Sequence, residues 1–144
     1  MLPFLPRDPS ARTRRYRWLA VSFLLLVLVV LSLPGAVVAQ VAEFVKALLN
    51  LPPSSDTPPL LPLDKLVHAG LFFVAGALLG RGWREPRGAL WALALGLLLF
   101  AGLTELIQAW VPGRSASAGD VLADALGAAL GLWLSRWAGK SMQY

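Results

Sequence analysis

The residues of this chain that could do chemistry are few, and they stand at the ends of long apolar stretches. One stretch begins with a carboxylate, an amine and an imidazole, the next ends with a carboxylate and an amide, and the last begins with two carboxylates one helical turn apart. Imidazole and carboxylate groups transfer protons, whereas lysine and arginine bind anions. The pattern therefore indicates an acid–base site or a polar binding site. The candidate binding residues are Asp64, Lys65, His68, Glu105, Gln108, Arg114, Ser117, Asp120 and Asp124.

Three of these side chains are the candidates for catalysis. His68 with Glu105 or Asp120 would act as general acid and base, which requires the groups to be positioned together. The same three offer nitrogen and oxygen ligands for a metal, but the sequence has no close-spaced ligand motif. We therefore predict no metal and no cofactor, and we leave open whether the protein is an enzyme.

Each polar residue also has a purely structural interpretation. Asp64 and Asp120 suit helix N-caps, where a carboxylate accepts bonds from free amides. Lys65 can extend toward lipid headgroups. Arg114 can pair with Glu105 or Asp120, or it can bind a phosphate or carboxylate. A cluster that only stabilises helix packing is therefore an alternative to a site.

The composition favours a membrane protein. Of the 144 residues, 57% are hydrophobic and 15% are charged, and the mean hydropathy is +0.65. Soluble domains carry about 25% charged residues. The absence of cysteine excludes disulfides and thiolate metal sites. We expect the net charge of +5 to reflect orientation in the lipid bilayer, and we predict no nucleic-acid partner.

Several apolar segments approach the length of about 20 residues that a membrane-spanning helix needs. We predict an all-α polytopic membrane protein with a bundle of four transmembrane helices, at about 18–38, 63–80, 88–111 and 120–137. Pro34 and Gly35 should kink or end the first helix, and residues 36–50 should lie along the membrane surface. A cleaved signal peptide ending near Ala39 is the alternative for the first segment.

The remaining segments complete the predicted organisation. Residues 1–17 form a basic cytoplasmic segment, and residues 18–62 hold the first helix, the surface segment and an outward loop with five prolines. Residues 63–137 form a three-helix core, and residues 138–144 form a cytoplasmic tail.

The basic residues predict the orientation, because cytoplasmic loops retain lysine and arginine. Ten of the thirteen fall on one side, which places both termini in the cytoplasm and the candidate residues toward the outer leaflet. The ten are Arg7, Arg12, Arg14, Arg15, Arg17, Arg81, Arg84, Arg87, Arg136 and Lys140.

Small residues recur at four-residue spacing in three of the predicted helices, which allows close helix approach. We interpret them as packing faces within the bundle, with homo-oligomerisation through them as the alternative. They are Gly76 and Gly80, Gly88 with Ala92 and Gly96, and Gly127 and Gly131.

The polar motifs resemble those of the VanZ-like family of small bacterial membrane proteins, named for a factor associated with resistance to the glycopeptide teicoplanin. The resemblance covers residues 63–133. Its first motif is Asp-Lys-x-x-His at 64–68, and its second is Glu-x-x-Gln at 105–108. Its third motif begins at residue 114 with Arg-Ser-x-Ser-x-x-Asp and is followed by Asp124, Gly127 and Gly131. Asp124 stands where the family often has asparagine. The resemblance implies a multi-pass protein of the bacterial cytoplasmic membrane, and it implies no particular reaction.

We therefore expect an outward polar cavity that recognises a lipid headgroup or a cell-envelope precursor and affects sensitivity to glycopeptide antibiotics. An outer-leaflet hydrolase or transferase using His68 is the first alternative, and a structural membrane protein is the second. A proton relay is disfavoured, because the other halves of the helices lack ionisable residues to complete a path.

Overall fold

A computed structural model describes residues 9–48, 50, 63–83 and 89–140, and every regular element in these ranges is an α-helix. The all-α prediction is confirmed for this part of the chain. The predicted proline-rich loop lies outside the described residues, as do Arg7, Arg84, Arg87, Gly88 and the last four residues. The helices are α1 (Pro9–Leu31), α2 (Gly35–Leu48), α3 (Leu63–Gly82), α4 (Ala89–Gln108) and α5 (Ala118–Lys140).

The chain bends sharply between α1 and α2. Pro34 has no amide hydrogen to continue a helix, and the two helix axes differ in direction by 102°. The Gly35 amide donates to the Pro112 carbonyl at 3.0 Å, which ties the bend to the α4–α5 loop. The predicted break at Pro34 and Gly35 is confirmed. The first helix begins earlier than the predicted start near residue 18 and ends at Leu31, and α2 follows from Gly35.

Helices α3 and α5 pack side by side in the same direction, and glycines make this close approach possible. A Cβ atom on Gly127 would meet the Ala69 carbonyl oxygen, and one on Gly131 would meet the Phe73 carbonyl oxygen. Both contacts advance by four residues on each helix, so α3 and α5 are parallel. The packing interpretation of these glycines is confirmed. As a result, the first turns of α3 and α5 lie at the same end of the bundle.

Helix α1 packs against α3 and belongs to the bundle. Ala20 and Val27 are fully buried in the hydrophobic core. At the other end from the α3 N-terminus, Arg17 donates from Nε to the Gly82 carbonyl at 2.9 Å, and its guanidinium lies 5.2 Å from the Trp83 ring centroid. This packing favours the membrane-helix interpretation of the first segment over the signal-peptide alternative.

Helix α4 uses its small residues differently from α3 and α5. Ala92 and Gly96 are exposed, and a Cβ on Gly96 would meet nothing within 4 Å. The prediction that the small residues of α4 pack inside the bundle is therefore wrong. Instead, α4 buries Leu97 and Ala101, which lie one turn apart, and the polar residues that follow them.

Within the described residues, α4 and α5 are each long and apolar enough to cross a membrane, and α1 with α2 qualifies only as a bent pair. Thus two or three spans are supported, and the predicted bundle of four is not confirmed. Helix α3 carries Asp64, Lys65 and Arg81 in its first and last turns, and these charges lower its hydropathy. The length and apolar composition of these helices are those of a membrane protein.

Candidate functional site

Three helix ends bring most of the predicted site residues together at one end of the bundle. The first turns of α3 and α5 meet the last turn of α4, and the α4–α5 loop lies beside them. We call six of these side chains the polar cluster: Lys65, His68, Glu105, Gln108, Asp120 and Asp124. All except Lys65 are buried. Asp64 was predicted for the site, but its side chain is exposed and it is not part of the cluster.

The centre of the polar cluster is a contact between an imidazole and two carboxylates. His68 Nδ1 lies 3.1 Å from Asp124 Oδ1 and 3.9 Å from Glu105 Oε1. His68 is 2% exposed and Asp124 is fully buried. An ionised Asp124 accepts a hydrogen bond from Nδ1 and leaves the lone pair of the neutral ring on Nε2. Asp124 therefore orients the imidazole of His68.

Glu105 is held by the loop and not by a side chain. The backbone amide of Ser117 donates to Glu105 Oε2 at 2.6 Å. Ser117 was predicted for the site, but its backbone amide could not be identified from residue type, because every residue except proline has one. This bond fixes one Glu105 oxygen and leaves the other facing His68.

Lys65 and Asp120 form an ion pair with Nζ 2.5 Å from Oδ1. The side chain of Lys65 is about one-third exposed, and its Nζ also lies 3.5 Å from Ser117 Oγ. Helix α5 begins at Ala118, so Asp120 stands inside the first turn and not in front of it. Asp120 is therefore not the N-cap of α5, and the ammonium of Lys65 contacts Asp120.

Arg114 contacts the polar cluster through Gln108. Its Nη2 donates to Gln108 Oε1 at 2.9 Å. Among the described residues, Arg114 pairs with neither Glu105 nor Asp120, the two partners that were one possibility for it: Glu105 is held by the Ser117 amide and Asp120 by Lys65. The guanidinium has five N–H donors, so its bond to Gln108 leaves it able to bind an anion as well.

The comparisons with known proteins identify the family. The sequence profile of the VanZ/LLP1 family matches residues 17–139, which is most of the chain. The chain belongs to the VanZ/LLP1 family. Comparison with curated proteins and with solved structures gives no match. The VanZ/LLP1 match includes α1 and α2, whereas the motifs that carried the resemblance lie in α3, α4, α5 and the α4–α5 loop.

The polar cluster of this VanZ/LLP1 protein contains buried atoms that lack hydrogen-bond partners among the described residues. They come from all three helices: His68 Nε2, Glu105 Oε1, Gln108 Nε2 and Asp124 Oδ2. Leaving a buried polar atom unpaired costs about 1–3 kcal/mol. Such atoms can form further hydrogen bonds, either to buried water or to a bound ligand.

The predicted catalytic residues also lie together. His68, Glu105 and Asp120 each offer one possible ligand atom, and these atoms all lie within 4.8 Å of one another. These three residues form no close-spaced motif in the sequence, because each comes from a different helix. Only the tertiary packing of this VanZ/LLP1 protein assembles the donor group.

Proposed function

We propose that this VanZ/LLP1 membrane protein recognises the polar headgroup of a membrane lipid or of a lipid-linked cell-envelope precursor. The polar cluster forms the binding site, at the outer leaflet of the bacterial cytoplasmic membrane. Occupying or withdrawing such a precursor would alter sensitivity to glycopeptide antibiotics. The bundle crosses the membrane four times, with α3 as one of the spans.

The observation that carries this proposal is the set of four unpartnered buried polar atoms. Gln108 Nε2 is a donor and Glu105 Oε1 is an acceptor, so the set can bind a ligand that has both kinds of group. A phosphate ester offers acceptor oxygens, and a sugar hydroxyl is both a donor and an acceptor. A purely structural cluster would instead be stable with its polar groups paired to one another.

The cationic side chains support an anionic part of the ligand. Arg114 and Lys65 are partly exposed, whereas the groups that they contact are buried. An approaching phosphate would therefore meet a guanidinium and an ammonium before it met the carboxylates. Trp110, in the turn after α4, is 85% exposed. Exposed tryptophan is typical of the headgroup level of a membrane, where such a ligand would lie.

An acid–base enzyme is the second candidate function, and the His68–Asp124 hydrogen bond favours it. An imidazole oriented by a carboxylate, with its second nitrogen available, is the arrangement of a general base. Glu105 or Asp120 would provide the complementary acid. Conversion of a bound lipid to a product of different mass, lost in His68→Gln, would favour this function over simple binding.

Replacing Arg114 with glutamine is expected to weaken headgroup binding about 10- to 150-fold, because a charge-assisted hydrogen bond contributes about 1.5–3 kcal/mol. Native mass spectrometry of detergent-solubilised protein, titrated with phosphatidylglycerol or undecaprenyl phosphate, measures the affinity. Arg15→Gln is the matched control, since Arg15 is exposed on α1 and far along the chain from the loop. Equal binding by Arg114→Gln and wild type would contradict the proposed role of the polar cluster.

The orientation can be tested by cysteine labelling, because the chain has no cysteine of its own. Ser115 is exposed beside the polar cluster, and Ala11 lies near the opposite end of the bundle. We expect Ser115→Cys to react with a membrane-impermeant maleimide in intact spheroplasts, and Ala11→Cys to react only after permeabilisation. The reverse pattern would place the polar cluster in the cytoplasm.

A further inference from the structure

The donor set formed by His68, Glu105 and Asp120 has the composition of a metal site. It offers one imidazole nitrogen and two carboxylate oxygens, all within 4.8 Å of one another. Ligand atoms around a tetrahedral zinc ion lie about 3.3–3.6 Å apart, given metal–ligand bonds of about 2.0–2.2 Å. The limit of 4.8 Å exceeds these separations by about 1.2–1.5 Å. Rotation of a carboxyl group can supply that movement, because its two oxygens are about 2 Å apart.

The charges of the polar cluster also favour a cation. Three carboxylates, on Glu105, Asp120 and Asp124, are buried, and Lys65 is the cationic side chain paired with them. With His68 neutral and the three carboxylates ionised, the charges of Lys65 and of Arg114, which contacts Gln108, leave a formal charge of −1. Buried carboxylates are stable when they are paired or coordinate a metal. A bound cation would compensate this negative charge.

Unpartnered atoms of the donor set point to the same ligand. Glu105 Oε1 is buried and has no hydrogen-bond partner among the described residues, and the same is true of His68 Nε2. An oxygen with a free electron pair is what a metal requires of a ligand. Glu105 Oε1 lies 3.9 Å from His68 Nδ1, which brings a carboxylate of α4 next to the imidazole of α3.

Ser117 corresponds to an outer contact of the kind that metal ligands commonly have. Its amide holds one oxygen of Glu105 and leaves the other without a hydrogen-bond partner among the described residues. Asp124 lies 3.1 Å from Nδ1 of His68, the same nitrogen that faces Glu105. Asp120 has two carboxylate oxygens, so it can keep Lys65 on Oδ1 and offer the other to a metal.

We propose that His68, Glu105 and Asp120 bind one divalent transition-metal cation of the Zn²⁺ type. Ca²⁺ takes six to eight oxygen ligands and Mg²⁺ demands near-octahedral oxygen coordination, so neither suits this mixed set as well. Three protein ligands leave a fourth position for a water or for an oxygen of another ligand. The cation binds whether or not a headgroup is present, so this inference does not depend on the proposed function.

The test is titration of the purified full-length protein with ZnCl₂ after removal of metal with EDTA. Isothermal titration calorimetry gives affinity and stoichiometry, and elemental analysis after gel filtration gives retained zinc. We expect one equivalent of Zn²⁺ per chain for the wild type, and at least a tenfold loss of affinity in His68→Gln and in Glu105→Gln. Glu43→Gln is the matched control, because Glu43 lies on the exposed surface of α2.

Two results would overturn the metal site. One is the absence of saturable Zn²⁺ binding by the wild type, and the other is binding by His68→Gln and Glu105→Gln as tight as that of Glu43→Gln. If a variant does not fold, the wild type is melted with and without Zn²⁺. A ligand of the folded state raises the melting temperature, so an unchanged melting temperature would contradict the metal site. Phosphatidylglycerol binding that persists after EDTA treatment, without any zinc binding, would reject the metal and leave the proposed function standing.

Discussion

Substitution of Gly131 by valine is expected to force α3 away from α5 and to prevent the folded protein from accumulating. A Cβ at this position would meet the Phe73 carbonyl oxygen and the Ala77 amide nitrogen. Both are backbone atoms within a helix, so neither can move aside as a flexible side chain would. Overpacking of a core commonly costs 1–3 kcal/mol, and we expect about 3 kcal/mol or more here. Thermal unfolding in detergent and the yield of monodisperse protein measure the effect.

The matched control for this substitution is Gly96→Val on α4. A Cβ at position 96 would meet nothing within 4 Å, and valine is a somewhat better helix former than glycine. Gly96→Val should therefore melt at or slightly above the wild-type temperature. Equal melting temperatures for Gly131→Val and Gly96→Val would contradict the close parallel packing of α3 and α5.

Removal of one partner of the His68–Asp124 pair is expected to destabilise the protein more than removal of both. Asp124→Leu leaves the His68 Nδ1 group buried without its acceptor, and His68→Leu leaves Asp124 buried without its donor. Breaking a buried pair from one side costs about 3–5 kcal/mol, whereas replacing both members with apolar groups can be neutral. Unfolding free energies of the two single variants and the double variant measure the coupling.

The double variant also separates a structural role from a binding role. If the pair only stabilises helix packing, the double variant should be about as stable as the wild type, with no further consequence. If the polar cluster is a binding site, the double variant should keep its stability and lose Zn²⁺ and headgroup binding. Additive destabilisation by the two substitutions would contradict a direct contact between His68 and Asp124.

Much of the helical organisation could be predicted from apolar runs and their interruptions. The prolines and glycines mark where helices stop, as at Pro34, and the long apolar runs predict α4 and α5. The neighbours of each helix could not be predicted, because hydropathy describes the surroundings of a face and not the element that covers it. Gly127 and Gly96 stand in similar small-residue patterns, yet one lies against α3 and the other is exposed.

The sequence predicted which residues come together in the candidate site, but it did not predict which of their atoms form hydrogen bonds. Polar residues such as His68 and Glu105 stand out, because the bundle interior and lipid both disfavour isolated ionisable groups. Their placement at corresponding helix ends predicts one cluster, and the structure brings five of the nine candidates together in buried positions. The partner of Arg114 depends on the path of the α4–α5 loop, which hydropathy does not determine.

One property of His68 makes the polar cluster unusually accessible to spectroscopy. It is the single histidine among 144 residues, so protein labelled with ¹⁵N only at histidine would give the resonances of one imidazole. Those two nitrogen shifts would report which nitrogen carries the proton. They would also report whether Asp124 still accepts its hydrogen bond, and whether Nε2 or Nδ1 coordinates a metal. The resonances of this one residue can thus report the tautomer, the hydrogen bonding and the metal ligation of the imidazole in the polar cluster, and the rest of the spectrum need not be assigned.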